Sequence, residues 1–186
     1  MIGEGLTIVE ISAIDGGWPG RIDFLRPRNV VELGTGQGAA GMRIMSALPD
    51  DAHFTTINYV NGEIHGEGLV SWLKDPRLTM LFLDTIDPET LLKVPDDIDI
   101  LFMDTTHEGW HVATELRLWQ YKLADGAVVI VDDLDQNDMS IFWATLHYEK
   151  ALLGGYSSQG LFRYDSARRY VGRFDRPNIT TYTGCK

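Results

Sequence analysis

The chain has 186 residues, 44% of them apolar, and a formal net charge of −11 from 16 Lys and Arg against 27 Asp and Glu. This length and apolar content suit one ordinary domain with a real core and exclude a fibrous or disordered polypeptide. The acidic balance repels phosphate backbones, so no nucleic-acid partner is expected. The one cysteine, Cys185, has no disulfide partner and no cluster with which to hold zinc. The first Lys or Arg is Arg21, the wrong pattern for a signal peptide, and no apolar run approaches the ~18 residues of a membrane span. A cytoplasmic protein with no membrane partner is the expectation.

Residues 1–28 precede the first strand signal and are expected to cap a sheet. Val30-Val31-Glu32-Leu33 reads as that strand, and Ala39 to Leu48, ended by Pro49, has helical spacing. Phe54 to Tyr59 reads as a strand, Glu67 to Lys74 as a helix ended by Asp75-Pro76, and Leu78 to Leu83 as a third strand. A short helix is expected over Pro88 to Leu92, with Pro88 at its first position. Ile98 to Met103 is a fourth strand. Glu108 to Leu123 is the clearest helix, with Val112, Leu116, Trp119 and Leu123 on one face, closed by the turn signal Asp125-Gly126. A strand over Ala127 to Val131 and a helix over Gln136 to Leu153, ended by Gly154-Gly155, follow. Tyr156 to Phe162 and Tyr170 to Phe174 are strand-like runs with no helix between them, which makes an antiparallel pair at one edge.

Most of these strands lack polar alternation, as strands covered on both faces do. The alternation of strand and helix predicts a Rossmann-like, doubly wound α/β fold. The expected sheet is mostly parallel and seven-stranded, with an antiparallel C-terminal hairpin. One domain over 1–186 is expected, with a core of about 29–175 and a tail at 176–186.

The turn Glu32-Leu33-Gly34-Thr35-Gly36-Gln37-Gly38 leaves the first strand and opens the first helix after it. Its glycines permit positive φ and close approach of a ligand, and the helix start offers unpaired N–H groups. Gly34-x-Gly36-x-x-Ala39 also satisfies a relaxed dinucleotide pattern. A nicotinamide-dependent oxidoreductase and a non-catalytic scaffold therefore stay open as alternatives.

Val-Glu-Leu-Gly-Thr-Gly-Gln-Gly resembles the first motif of class I S-adenosylmethionine-dependent methyltransferases, an acid followed by Gly-x-Gly-x-Gly. The resemblance spans roughly residues 29–175. It implies cofactor contacts at Glu32, Gly34, Thr35, Gly36 and Gly38, at Asp84 and Thr85 for the adenine ring, and at Asp104. The acid that such enzymes carry at the end of strand two is replaced by Asn58, an acceptor without charge.

Asp104-Thr105-Thr106-His107 and Asp132-Asp133 end adjacent parallel strands, so they converge on the rim that holds the glycine turn. Carboxylates crowded there repel one another, and a hard divalent cation with oxygen ligands is one compensation. Asp-x-x-His with a following acid pair resembles small-molecule O-methyltransferases and relatives of the cephalosporin-methoxylation enzymes. That resemblance implies Mg²⁺ or a similar cation on Asp104, Asp132 and Asp133, His107 as general base, and a small hydroxylated substrate. His107 and His111, four apart, form a weaker metal pair. His65, between Glu63 and Glu67, reads as a solvated loop residue. Trp110, Trp119 and Trp143 read as core or pocket wall. Arg163, Arg168, Arg169, Arg173 and Arg176 gather near the C-terminal end and offer attraction for an anion. The little sequence outside the core leaves no obvious substrate lid, so a homo-oligomer whose partner subunit completes the pocket is also expected.

Overall fold

The computed structural model describes residues 2–59, 73–153, 158–172 and 174. The helix expected over Glu67 to Lys74 falls almost wholly outside these, as do His65, Arg173, Arg176 and Cys185. Two short helices, α1 (Ile8–Ser12) and α2 (Gly17–Leu25), precede the sheet. Thr7 caps α1 reciprocally with Glu10. The strands and helices that follow are β1 (Asn29–Leu33), α3 (Ala39–Ala47), β2 (His53–Asn58), β3 (Leu78–Phe82) and β4 (Ile98–Met103). A 3₁₀ turn over Pro88–Lys93 takes the place of the expected short helix. The chain continues with α4 (Gly109–Trp119), β5 (Leu123–Val131), α5 (Met139–Thr145), β6 (Lys150–Leu153) and β7 (Gln159–Arg163).

The seven strands lie in the order β3-β2-β1-β4-β5-β7-β6. β3, β2, β1, β4 and β5 run parallel, and β7 is antiparallel to both β5 and β6. The fold is thus the Rossmann-like α/β sheet with an antiparallel C-terminal end. Successive residues of each strand face opposite layers. Val31, Leu33, Leu101, Met103, Val129 and Val131 pack with Val112, Leu116 and Trp119 of α4 on one face. Val30, Phe54, Ile100, Phe102, Val128 and Ile130 pack with Ile8, Ile11, Ile22 and Ile44 on the other. Burial on both sides is why these strands read as unbroken apolar runs.

Three expectations are corrected at the C-terminal end. The helix over Gln136 to Leu153 ends at Thr145, because Lys150 Nζ takes the carbonyls of Trp143 and Leu146 at 2.6 and 2.9 Å. Lys150–Leu153 then pairs as the edge strand with Gln159–Arg163. Tyr170 to Phe174 forms no strand among the described residues. Its place is taken by a side chain, since Gln120 accepts from Tyr170 N–H at 2.8 Å and donates to the Tyr170 carbonyl at 3.1 Å. Asp125-Gly126 does not close α4 but lies inside β5, where register with β4 shifts between Ile98↔Leu123 and Ile100↔Val128.

Candidate active site

β1 leads outward to β2 and β3, whereas β4 and β5 lie on its other side, so the loops after β1 and β4 diverge and leave a cleft. Its volume is about 720 Å³, within the roughly 300–1,000 Å³ of small-ligand sites. Gly34, Gly36, Asn58, Asp84, Thr85 and Asp104 all line it. Glu32, Thr35 and Gly38 do not. Glu32 and Thr35 are buried beneath the turn, and Gly38 is the left-handed N-cap of α3.

The two lining glycines have different reasons. At Gly34 φ is +92°, and a Cβ there would stand 1.7 Å from the Asp104 carbonyl oxygen, so only glycine lets the turn press against the end of β4. At Gly36 φ is +47° and a Cβ would meet nothing within 4 Å. Its missing side chain leaves open cleft, which is the room a ligand on the turn requires.

Below the turn, Thr56 Oγ1 donates to Glu32 Oε2 at 2.5 Å and contacts Thr35 Oγ1 at 2.6 Å. Glu32 Oε1 is buried without a partner. Burial, helped by the Asp104 charge and opposed by the Thr56 bond, pushes the Glu32 carboxyl up to about 8.

On the rim, His107 Nε2 lies 3.0 Å from Asp104 Oδ1 and 3.5 Å from Asp133 Oδ2. The bond to Asp104, with the charges of Asp104, Asp133 and Asp132, raises the imidazole pKa against the opposing effect of burial. His107, Asp133 and Asn137 all have left-handed backbones, at φ of 51°, 49° and 45°. Asn137 Nδ2 donates to the His107 carbonyl at 2.9 Å. Strained residues gathered at a rim of charged groups are a mark of function.

The donor set for a divalent cation does not fit as arranged. The His107 ring nitrogen stands within reach of two of the three carboxylates and already partners them. Asp132 Oδ1 accepts from Asp133 N–H at 2.9 Å. Burial holds the Asp132 carboxyl above its usual range, with the Asp104 charge adding to it against a bond from Gln159. Among the described residues, no three acidic or histidine side chains are disposed to hold a metal. The His107–His111 pair also divides, His107 going to Asp104 and His111 to Glu115.

A second polar cluster was not foreseen from the sequence. Glu115 of α4 is fully buried. Its Oε1 accepts from Thr85 Oγ1 at 2.5 Å and lies 3.1 Å from His111 Nε2, while its Oε2 accepts from Thr105 Oγ1 at 3.0 Å. The only sequence signal is a Glu four residues after a His on a helix face otherwise filled by Val112, Leu116 and Trp119. Trp110 and His111 line the cleft, whereas Trp119 is fully buried in the core. The arginines stand elsewhere. Arg163 holds the carbonyls of Ile2, Gly3, Leu6 and Gly126, Arg168 pairs with Asp165, and Arg169 covers the Tyr121 ring.

The family profile described as "Methyltransferase domain" matches residues 31–134. No curated protein sequence matches the chain. Among solved structures, the SAH-bound methyltransferase PaMTH1 of Podospora anserina has a TM-score of 0.65 at 15% identity, covering 80% of this chain and 76% of its own. The O-methyltransferase TomG of Streptomyces achromogenes, in complex with SAM, gives 0.60 at 16% identity over 85% of this chain and 81% of its own. Spermidine synthase of Thermotoga maritima gives 0.57 at 14% identity over 84% and 60%. At these identities the structures establish the fold, and the family profile decides for methyl transfer over the oxidoreductase and scaffold alternatives. No helix of the described residues is long and apolar enough to cross a membrane. The chain belongs to the methyltransferase domain family, with the fold of the class I S-adenosylmethionine-dependent enzymes.

Proposed function

We propose that the chain methylates a hydroxyl group of a small molecule, with S-adenosylmethionine as donor and His107 as general base. The observation that carries this reading is the 3.0 Å pair of His107 and Asp104 beside a glycine turn with open room at Gly36. Gly34, Gly36, Asn58, Asp84, Thr85 and Asp104 would hold the donor, with Glu32, Thr35 and Gly38 shaping the turn beneath. The donor supplies, when bound, an electrophilic methyl group on a sulfonium. Asp104 holds His107 Nε2 and so leaves Nδ1 to take the hydroxyl proton of the acceptor. Asp104 and Asp133 then stabilise the imidazolium that this produces.

Once His107 has taken the acceptor's proton it carries a positive charge between Asp104 and Asp133, so the reaction is proposed to run without Mg²⁺. The test is labelled methyl transfer to a panel of small phenols and alcohols. His107→Ala is expected to lower kcat by about 10²–10⁴-fold while leaving the Kd for S-adenosylhomocysteine nearly unchanged. Equal turnover would end the assignment of the base. Excess EDTA is expected to leave the rate intact. A rate lost to EDTA and restored by Mg²⁺ would reinstate the three aspartates as ligands.

A further inference from the structure

We propose that Asn137 is a positioning residue for His107, and that with Asp138 it aims the base by clamping the loop after β4 from the loop after β5. This rests on the base role proposed above. The segment around His107 does not hold its own shape. His107 has φ of 51°, a left-handed backbone that a residue with a Cβ adopts only at a cost. Glu108, the N-cap of α4, makes no side-chain cap and gives its carboxylate to Trp110 Nε1 at 2.8 Å. Left to itself, this stretch would relax toward ordinary backbone angles and carry the imidazole away from Asp104.

The restraint comes from a separate loop. Asn137 Nδ2 donates to the His107 carbonyl at 2.9 Å, and Asp138 Oδ1 accepts from Gly109 N–H at 2.7 Å. Two adjacent residues thus grip the chain on both sides of Glu108. Fixing the His107 carbonyl fixes the ψ of that residue, while Asp104 Oδ1, 3.0 Å from Nε2, fixes the ring. The gripping loop is itself anchored. Ile141 and Phe142 N–H donate to the Asp138 carbonyl at 3.0 and 3.1 Å at the start of α5. Gln136 Nε2 donates to Asp133 Oδ2 at 2.5 Å, and that oxygen lies 3.5 Å from His107 Nε2.

Asparagine suits position 137 on two counts. Its own φ is 45°, a region that Asn and Asp enter more readily than most residues with a side chain. Its amide also supplies an N–H, which the side chain of Asp lacks when ionised and Gly lacks altogether. Asn, Asp and Gly all meet the backbone requirement, and of the three Asn alone meets the donor requirement.

The experiment compares wild type, Asn137→Gly, Asn137→Asp, His107→Ala and the combined His107→Ala and Asn137→Gly variant by labelled methyl transfer, S-adenosylhomocysteine titration and thermal melting. Asn137→Gly is expected to melt cooperatively, to bind S-adenosylhomocysteine as wild type does, and to lose roughly tenfold or more in kcat, as a displaced base would cause. Asn137→Asp should be no faster, and it replaces the Gly variant if that protein does not fold. In the His107→Ala background, Asn137→Gly should lower kcat no further, because its effect runs through His107. Undiminished kcat in a folded Asn137 variant, or an equal drop in both backgrounds, overturns the positioning role. A second readout needs no acceptor. Long-range ¹H–¹⁵N NMR at a pH where the His107 ring is neutral should show the Nε2–H tautomer in wild type and averaged tautomers in the Asn137 variants. A ring averaged already in wild type, or one still fixed in the variants, overturns the clamp. Full turnover by His107→Ala is a separate outcome, and it would overturn the base reading and this inference with it.

Discussion

Glu32 lies fully buried under the glycine turn with one oxygen unpartnered, and its pKa is pushed up to about 8. In the unfolded chain the same group titrates near 4.5. Between those values the folded state holds a proton that the unfolded state has released, so stability must fall as pH rises. The contribution is complete below the unfolded value and lost as pH climbs through about 8. At about 1.4 kcal/mol per pH unit of this window, the linkage is on the order of 5 kcal/mol. Glu32→Gln keeps the shape and removes the titration. Whatever fixed penalty the amide N–H₂ brings beside Thr56 does not vary with pH. Urea unfolding of both proteins from about pH 5 to about pH 9 should therefore show wild type losing several kcal/mol relative to the variant across that range. Parallel curves, or a wild type that gains on the variant as pH rises, would refute a neutral Glu32 in the folded protein.

The glycine turn separates into fold and ligand effects. Gly34→Ala brings a Cβ to 1.7 Å from the Asp104 carbonyl, so a loss on the order of 4 kcal/mol or more is expected by thermal melting. Gly36→Ala meets no atom and should unfold cooperatively with a loss of about 1 kcal/mol, while calorimetry shows weaker S-adenosylhomocysteine binding. Asp138 Oδ1 accepts from Gly109 N–H at 2.7 Å and so caps α4 from a distant loop. Asp138→Ala should cost about 1 kcal/mol, read as a Tm lower by roughly 2–4 °C.

The parallel strands were readable because burial on both faces writes an uninterrupted apolar run, as in Ile98 to Met103 and Ala127 to Val131. The rim was readable because glycines and acids fall where strands end. β6 was hidden because Lys150–Leu153 continues an apolar helical pattern, and the lysine that ends the preceding helix does so through its side chain. Tyr170 imitates a strand residue because Gln120 pairs with its backbone, an arrangement without a local signature. Glu115 was missed because its partners Thr85 and Thr105 come from other segments. The acidic residues of the rim were found, but the sequence could not show that His107 stands between two of them.

The left-handed backbones at His107, Asp133 and Asn137 carry a further consequence for anyone seeking a sturdier protein. Each holds roughly 1 kcal/mol of strain that a glycine would release. Glycines there would relax the very loop that aims His107. Under the base role proposed for His107, selection for heat resistance alone would favour them and yield a hardier, slower enzyme. Thermal robustness is better sought in the opposite layer, around α1 and α2, where the sheet lies between any repacking and the cleft.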